Sequence, residues 1–309
     1  MNLQNITAIH WSECALSCIT ADVTLEEELK QTLVNGELAG IIHSVFCNVI
    51  NWQEEKTGRL YCLTSSKIDA AHETAVTSLP TLEYLTAAPG MPVRFGLWGI
   101  SFDGELKVTF RSVRTVTLTL PQWPSHAGPL AAALPNCERR LKELGSPGGM
   151  LPDCHAKGFG KALAQSLQSG RAAAEEAVRS KNVQAFLEAA ETLLGLGYGL
   201  TPSGDDYLSG LLLTLHIPGG PLEDWAKIGR TVADVAAVST TDIGAWELNH
   251  AARGLPRQDM VDFLESLFAG DGAYVTHLDK ILSVGSLSGT DIATGLLAGL
   301  MLALEAAQN

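Results

Sequence analysis

A glycine-rich segment with two adjacent acids constrains this chain more than any other feature. Residues 195–206 read Gly-Leu-Gly-Tyr-Gly-Leu-Thr-Pro-Ser-Gly-Asp-Asp and lie between two apolar helical patterns. Glycine loses much backbone freedom on folding, so four glycines in this segment indicate a loop that turns tightly or approaches something closely. Ser203 and Asp206 have the S-x-x-D spacing of a capping box, which predicts that Ser203 caps a helix. Capping explains one serine and one acid, but neither the glycines nor the second acid.

A second copy of this signal lies near the end of the chain. Residues 288–297 read SGTDIATGLL and match residues 203–212, SGDDYLSGLL, at the serine, both glycines, one aspartate and the leucine pair. Because glycine permits close approach, we expect these two helix N-termini to pack together. Residues 239–242 repeat only the S-x-x-D opening. Independent capping of three helices is the alternative, and a duplication stays open because the flanking residues do not align visibly.

Charge and hydropathy exclude several classes of partner. The formal net charge is −13 with no run of Lys or Arg, which argues against nucleic acid and anionic membranes. The most apolar stretches, 208–217 and 295–303, are too short to span a bilayer. Residues 1–5 lack the pattern of a signal peptide, and the six cysteines form no C-x-x-C pair. We therefore predict a cytoplasmic protein with neither a nucleic-acid nor a membrane partner.

The first part of the chain has the pattern of a β-rich domain. Runs of β-branched and alternating residues predict strands at Ile41–Ile50, Arg59–Thr64 and Val113–Leu120. Asp103-Gly104 is a strong hairpin signal. A helical pattern covers Leu25–Val34. Short strands joined by hairpins favour a barrel or a sandwich.

The second part has the pattern of a helical domain. It begins after three prolines between residues 121 and 129, and a short basic helix is expected around Cys137–Leu144. Alanine and leucine at helical spacing then predict helices at Lys157–Gln168, Ala172–Arg179, Val183–Leu194, Leu208–His216, Leu222–Val238, Asp242–Arg253, Gln258–Phe268, Ala273–Leu282 and Ile292–Ala306. The predicted fold class is α+β, with a β-rich, barrel- or sandwich-like domain at 1–125 and a mostly α-helical domain at 126–309 that carries the glycine-rich loop.

The two adjacent acids admit a structural and a functional interpretation. An acid at a helix N-terminus is stabilised by the helix dipole, which alone would explain Asp205 or Asp206. Carboxylates also bind hard cations, so Mg²⁺ is the one cofactor we consider, with Asp205 and Asp206 as its ligands. The loop lacks the P-loop pattern and no Lys or Arg lies near it, which argues against a nucleotide site. No base lies close in sequence to Thr201 or Ser203, so a Ser/His/Asp triad is disfavoured.

Residues 195–206, with Leu208-Ser209-Gly210 after them, resemble the signature of the AllH-like subunit family of oxamate carbamoyltransferase, from bacterial allantoin catabolism. Weaker support comes from Ser239-Thr240-Thr241, from Gly285–Gly295 and from the strand pattern at His43–Asn51. The resemblance implies a cytoplasmic protein that works with other carbamoyltransferase subunits. The reaction it implies moves a carbamoyl group between oxalurate and phosphate, giving oxamate and carbamoyl phosphate. The S-x-R-T-R phosphate motif of the familiar carbamoyltransferases is absent.

Our hypothesis is that the loop and the helix starts at 239–242 and 288–291 converge on one cleft for a small carbamoyl- or phosphate-bearing substrate. Asp205 and Asp206 are the candidate catalytic residues. The candidate substrate-binding residues are Gly197, Gly199, Thr201, Ser203, Gly204, Thr240, Thr241, Ser288, Gly289 and Asp291. Two alternatives stay open: a non-catalytic interaction subunit of a multi-protein complex, and a Mg²⁺-dependent phosphoryl-transfer enzyme.

Overall fold

Nine β-strands come first along the described part of the chain, and nine α-helices follow them. The computed structural model describes residues 18–22, 38–96, 99–109 and 114–308. The chain divides into two units, Met1–Leu118 and Thr119–Asn309. The predicted α+β class, with a strand-rich first part and a helical second part, is confirmed. The predicted domain boundary at 125/126 stays a prediction.

The strands form one sheet that is nearly closed and barrel-like. In chain order they are β1 (Cys18–Asp22), β2 (Leu38–Val45), β3 (Val49–Glu54), β4 (Leu60–Thr64), β5 (Thr74–Thr77), β6 (Pro92–Gly96), β7 (Gly99–Phe102), β8 (Glu105–Thr109) and β9 (Arg114–Val116). Their order in the sheet is β8-β7-β6-β2-β3-β4-β5-β1-β9. Neighbours pair antiparallel except β4 with β5 and β1 with β9, which are parallel.

A buried glutamate shapes the turn between β3 and β4. The Glu54 carboxylate, only 4% exposed, accepts hydrogen bonds from the backbone N–H groups of Lys56 at 3.0 Å and Thr57 at 2.7 Å. Burial is the largest single effect and acts to raise the pKa of Glu54, but the Thr57 hydroxyl, these two backbone bonds and the charge of Lys56 together outweigh it, so the pKa is lowered. Inside the sheet, the ring of Trp52 stacks on Tyr61 with 4.6 Å between centroids, so aromatic packing anchors this core.

Two of the strand predictions need correction. The run Ile41–Ile50 is not one strand: β2 ends at Val45, and the Phe46 N–H donates to the Val49 carbonyl at 2.7 Å to form a tight turn. Hydrophobic pattern alone did not mark this turn because Phe46 and Cys47 continue the apolar run. Of the strand expected at 113–120, the described residues form a strand at Arg114–Val116, and residues 117–120 have no regular structure. The hairpin at Asp103-Gly104 is confirmed, and Leu25–Val34 lies outside the described residues.

The helices of the second unit are α1 (Gly128–Leu144), α2 (Phe159–Arg179), α3 (Val183–Leu193), α4 (Ser203–Leu215), α5 (Gly229–Ser239), α6 (Asp242–Ala251), α7 (Gln258–Ala269), α8 (Tyr274–Leu282) and α9 (Ser288–Ala307), with a 3₁₀ helix at Glu223–Ile228. Three helix predictions differ from the structure. The short basic helix expected around Cys137–Leu144 is the end of the longer α1. Residues 157–179 contain one helix where two were expected, and residues 222–238 contain a 3₁₀ helix and an α-helix where one helix was expected.

Helix α4 is the centre of this unit, since all of its residues are buried. A helix that is buried all round needs neighbours on every side. Its main neighbour is α9, the one helix among the described residues that is long and apolar enough to cross a membrane by composition. The apolar window of α9 is 72% buried inside the protein, which is the behaviour of a core helix.

Reciprocal glycines allow α4 and α9 to touch along their backbones. A methyl group on Gly210 would overlap the Ile292 carbonyl and lie 2.7 Å from the Leu296 nitrogen. A methyl group on Gly295 would in turn overlap the Tyr207 carbonyl. The close packing predicted from the repeated sequence is therefore confirmed.

Candidate functional site

Three helix N-termini meet at the glycine-rich loop. The Thr240 hydroxyl, just before α6, donates a hydrogen bond to Oδ2 of Asp205 in the first turn of α4. The Thr201 hydroxyl, in the loop, is hydrogen bonded to that of Ser288, the first residue of α9, at 2.8 Å. The Thr241 hydroxyl caps α6 by accepting from the Gly244 N–H at 3.0 Å and donates to the Leu200 carbonyl at 2.5 Å. The starts of α4, α6 and α9 thus form one polar cluster.

The local backbone geometry explains why glycines are needed in the loop. Gly195, Gly197 and Gly199 all have positive φ angles, of 71°, 145° and 85°, which side-chain-bearing residues rarely adopt. Gly204 lies directly against the Leu193 carbonyl, and Gly289 lies in the same way against that of Ile281. The turn therefore requires these glycines even without a ligand. Among these glycines, Gly199 is the one at which an added Cβ would meet no atom within 4 Å.

The predicted capping box is wrong. Helix α4 begins at Ser203 itself, its N-cap is Pro202, and no side chain caps it. The N–H groups of Asp205 and Asp206 donate to the Pro202 carbonyl instead. Because Ser203 stands inside the first turn, its hydroxyl is available for Asp291 on the neighbouring helix, where it lowers the pKa of that carboxyl.

Asp205 ties three segments together. Its Oδ1 accepts from the Gly195 N–H at 2.8 Å, and its Oδ2 accepts from Thr240. Burial raises the pKa of Asp205 to about 6, although both hydrogen bonds act to lower it. With both oxygens engaged in this way, Asp205 positions the loop and the start of α6.

Asp291 has a similar place in α9. Its Oδ1 accepts from the Met150 N–H at 2.6 Å, and it is fully buried. Burial raises its pKa to about 6, against the opposing effects of Ser203 and Met150. Next to it, the Thr290 hydroxyl accepts from the Ser146 N–H at 2.9 Å. The first turn of α9 therefore holds the segment 146–150, as Asp205 holds the loop before α4.

Asp206 differs from both of these acids. It is 1% exposed, and neither carboxyl oxygen has a hydrogen-bond partner among the described residues. Burial is the largest cause of a pKa raised well above the usual value, and Glu247, Asp291 and Asp205 raise it further. The Ser288 hydroxyl opposes these effects. Asp206 is therefore a buried carboxyl group whose surroundings favour the protonated, uncharged form, and neither of its oxygens has a partner among the described residues.

Sequence reasoning missed four residues of this cluster. A methyl group on Gly149 would overlap the carboxylate of Asp291, and one on Gly244 would overlap that of Asp205. Met150 supplies a backbone donor, and Glu247 raises the pKa of Asp206. Of these four residues, only the two glycines belong to sequence patterns from which a close backbone contact could have been predicted. The proximity of Met150 to Asp291, 141 positions apart, arises from helix packing alone.

The loop presents a row of free backbone donors. The N–H groups of residues 197–201 have no acceptor among the described residues. Residues 198–200 are exposed, with Tyr198 at 51% and Leu200 at 40%. Unused N–H groups beside several helix N-termini are suited to binding an anion. The described residues contain no group of three or more His, Cys, Asp or Glu side chains arranged to hold a metal ion.

An aromatic pair lies beside these donors. Phe159 at the start of α2 is 71% exposed, and its ring meets that of Tyr198 edge to face with 6.0 Å between centroids. Leu200, two residues after Tyr198 in the same loop, is exposed as well, and we call these three side chains the exposed apolar patch of the loop. Apolar patches of this kind frequently mark a contact surface.

Two family models match the chain. Residues 193–300 match the model described as oxamate carbamoyltransferase subunit AllH, and residues 15–115 match that of the AllH family N-terminal domain. The two matches together cover more than half of the chain, and the first contains the glycine-rich loop and the starts of α4, α6 and α9. No solved protein structure matches the chain significantly.

Proposed function

The chain belongs to the AllH family of oxamate carbamoyltransferase subunits, and we propose that it contributes to that enzyme a binding site for the small carbamoyl-bearing substrate. The substrate would be oxalurate or carbamoyl phosphate, in the cytoplasmic recovery of nitrogen from allantoin. Being a subunit implies partner subunits, which would complete the enzyme.

One observation carries this proposal: free backbone donors and buried acids meet at the same helix N-termini. The N–H groups of residues 197–201 would bind the anionic end of the substrate, a phosphate or a carboxylate. The partial positive charge at the starts of α4, α6 and α9 would stabilise the same negative charge. The Thr201 and Ser288 hydroxyls are hydrogen bonded to each other, and Ser288 acts on the pKa of Asp206, so the two hydroxyls would exchange their mutual bond for bonds to the substrate.

Catalysis at such a site would depend on position and electrostatics. Preorganised donors lower the cost of charge that develops during carbamoyl transfer, without a covalent intermediate on the protein. Asp205 would act as a positioning residue, because its oxygens hold Gly195 and Thr240. A role of Asp205 and Asp206 as Mg²⁺ ligands remains a prediction.

Ligand titration of the assembled enzyme tests the proposal. Calorimetry with oxalurate, carbamoyl phosphate and oxamate should detect binding to the complex. Thr201→Val and Ser288→Ala should each weaken it about fivefold, because each removes about one hydrogen bond. Thr231→Val, an exposed threonine on α5, is the matched control and should bind normally. Unchanged affinity in both site variants would remove the loop from the binding site.

The exposed patch of Phe159, Tyr198 and Leu200 favours a second candidate, a non-catalytic interaction subunit. In that case the patch would contact a partner subunit, and the loop would serve assembly only. The same titrations separate the two candidates. Phe159→Ser would abolish co-purification with the partner subunits, while the wild-type chain and complex would bind none of the three ligands at this loop.

A further inference from the structure

Within the acidic cluster of Asp205, Asp206 and Asp291, Asp206 is the residue with no partner at either carboxyl oxygen among the described residues, whereas Asp291 lacks one only at Oδ2. It is 1% exposed, yet both of its oxygens lack a partner among the described residues. A buried polar group without a partner is costly, and such groups are rare in folded proteins. Asp205 and Asp291 stand beside it in equally buried places, and both accept backbone N–H bonds. The unused oxygens of Asp206 therefore point to a bound ligand.

The charges around Asp206 restrict what that ligand can be. Glu247 on α6, Asp291 on α9 and Asp205 on α4 all raise its pKa, after the larger effect of burial, and the opposing group is the neutral Ser288. An uncharged carboxyl group has one O–H donor and one carbonyl acceptor, side by side in a plane. A primary carboxamide or a carbamoyl group also has one donor, its N–H, beside one acceptor, its carbonyl oxygen. Its donor therefore faces the acceptor of the carboxyl group, and its acceptor faces the O–H.

We propose that Asp206 in its uncharged form binds the carbamoyl edge of the substrate. Its O–H donates to the carbamoyl oxygen, and its carbonyl oxygen accepts from the carbamoyl N–H, which closes a planar pair of hydrogen bonds. An ionised carboxylate would accept the N–H but would repel the carbamoyl oxygen. This inference rests on the proposed function and names the group that the site recognises: a primary carboxamide in place of a carboxylate.

Oxamate and oxalate are the probes that test it, because they differ only in an amide where oxalate has a second carboxylate. The wild-type complex should bind oxamate more tightly than oxalate. Asp206→Asn keeps a neutral, planar donor and acceptor, so its affinity for oxamate should stay within about threefold of the wild type. Asp206→Leu has a side chain of similar shape that forms no hydrogen bonds. Its affinity for oxamate should therefore fall about tenfold or more, while its affinity for oxalate should change little. Asp234→Asn, an exposed aspartate on α5, is the control and should change neither affinity.

The pH dependence supplies a second measurement, which does not require Asp206→Leu to fold. Deprotonation of Asp206 destroys the donor, so the wild-type affinity for oxamate should fall as pH rises through its raised pKa. Asp206→Asn cannot ionise and should lack that component of the fall. Asp205, Asp291 and Glu247 are present in both proteins and interact with the Asp206 carboxyl only when it is ionised, so their titration differs between the two proteins only above the pKa of Asp206.

The outcomes separate this inference from the proposed function. If the affinity of Asp206→Asn for oxamate falls as far as that of Asp206→Leu, the ionised carboxylate is the form that binds the ligand. That result overturns the inference but leaves the proposed binding site intact. If Asp206→Leu folds and binds oxamate normally, Asp206 does not contact the ligand. If the wild-type complex binds none of oxamate, oxalurate and carbamoyl phosphate, the proposed function itself fails.

Discussion

Each buried carboxyl group at the starts of α4 and α9 has a different set of contacts. Asp205 and Asp291 accept hydrogen bonds from backbone donors, while Asp206 accepts none. All three lie in surroundings that favour the protonated form, because burial raises the pKa of each. Such a cluster destabilises the fold when it ionises, and natural proteins retain that kind of strain mainly where function requires it.

The pH dependence of stability should reveal this cost. The pKa of Asp291 is about 6 in the folded chain, against 3.8 for the ordinary side chain. Between these pH values the folded state holds a proton that the unfolded state has released. The stabilisation is therefore present below pH 4 and lost as pH rises through about 6. Asp291→Asn cannot ionise, so its free energy of unfolding relative to the wild type should improve by about 1–3 kcal/mol from pH 4 to pH 8.

Urea unfolding of both proteins across this pH range measures the effect. Acids with lowered pKa values, such as Glu54 and Asp279, act in the opposite direction, but they are present in both proteins and cancel in the difference. Asp234→Asn, which replaces an exposed aspartate on α5, is the control variant for this series. A flat difference for Asp291→Asn would show that its carboxyl group is not strained.

At this scale the sequence identified the acids but not their roles. Asp205 and Asp206 are adjacent in the first turn of α4, yet Asp205 accepts a backbone N–H bond and Asp206 has no partner among the described residues. Which acid has free oxygens depends on Met150, Glu247 and Thr240, which come from other segments of the chain. No local pattern encodes those contacts, because they form only when the helices pack.

The crossing of α4 and α9 is the element-level feature on which the site depends. Gly210 and Gly295 let the two backbones touch, and this contact brings Asp291 close to Asp206. Small residues at matching places in two helices are a known device for close approach. The repeated sequence predicted this contact because it placed a glycine in both helices at the same distance from the first serine.

Substitution of Gly210 by alanine should disrupt the crossing. The added methyl group would overlap the Ile292 carbonyl, which belongs to backbone and cannot move aside. We expect the free energy of unfolding to fall by about 1–3 kcal/mol, the usual cost of overpacking. The melting temperature should fall by roughly 3–10 °C for a unit of this size.

Gly160→Ala in α2 is the matched control for this thermal measurement. Its methyl group would lie 3.6 Å from the Ala156 Cβ, an ordinary contact, so stability should change by less than about 1 kcal/mol, in the favourable direction. Equal melting temperatures for Gly210→Ala and the wild type would contradict the close crossing.

Other boundaries of helices and strands could not be predicted from the sequence, for physical reasons. The sequence pattern places the helical part after the three prolines between residues 121 and 129, but Pro129 lies in the first turn of α1, where its missing N–H is not needed. Pro135 lies inside the same helix, whose packing overrides the local penalty. Hydrophobic periodicity located the longer helices well, whereas turns inside apolar runs, such as the one after Val45, left no pattern.

The whole molecule has separate hydrophobic cores. The helical core is formed only by residues from Leu120 onwards, and the core of the sheet only by residues before 110. Composition and periodicity predicted two domains because the change from period two to period 3.6 is visible along the chain. The point at which the chain leaves one core for the other was less visible, since residues 117–127 have no regular structure.

Two fragments test where the helical domain begins. Residues 119–309 should fold alone, with a helical circular dichroism spectrum and a cooperative melt. Residues 126–309 lack Leu120, which is buried in the core, and Trp123, whose ring contacts Phe268 at 5.8 Å between centroids. We expect this shorter fragment to be less stable by about 2–4 kcal/mol. Equal stability of the two fragments would favour the boundary at 125/126.

The complete burial of α4 has a consequence for how the chain is made. Its cover, α9, begins 85 residues later, at Ser288, and ends at Ala307. At ribosomal speeds of about 5–20 residues per second, α4 therefore emerges roughly 4–17 s before its partner. During that interval the apolar side chains of the α4 segment, Tyr207, Leu208 and the leucines at 211–213 among them, are available to chaperones and to other nascent chains. A ribosome that stops before residue 288 releases a protein with its central helix uncovered, so every such product becomes a target for degradation.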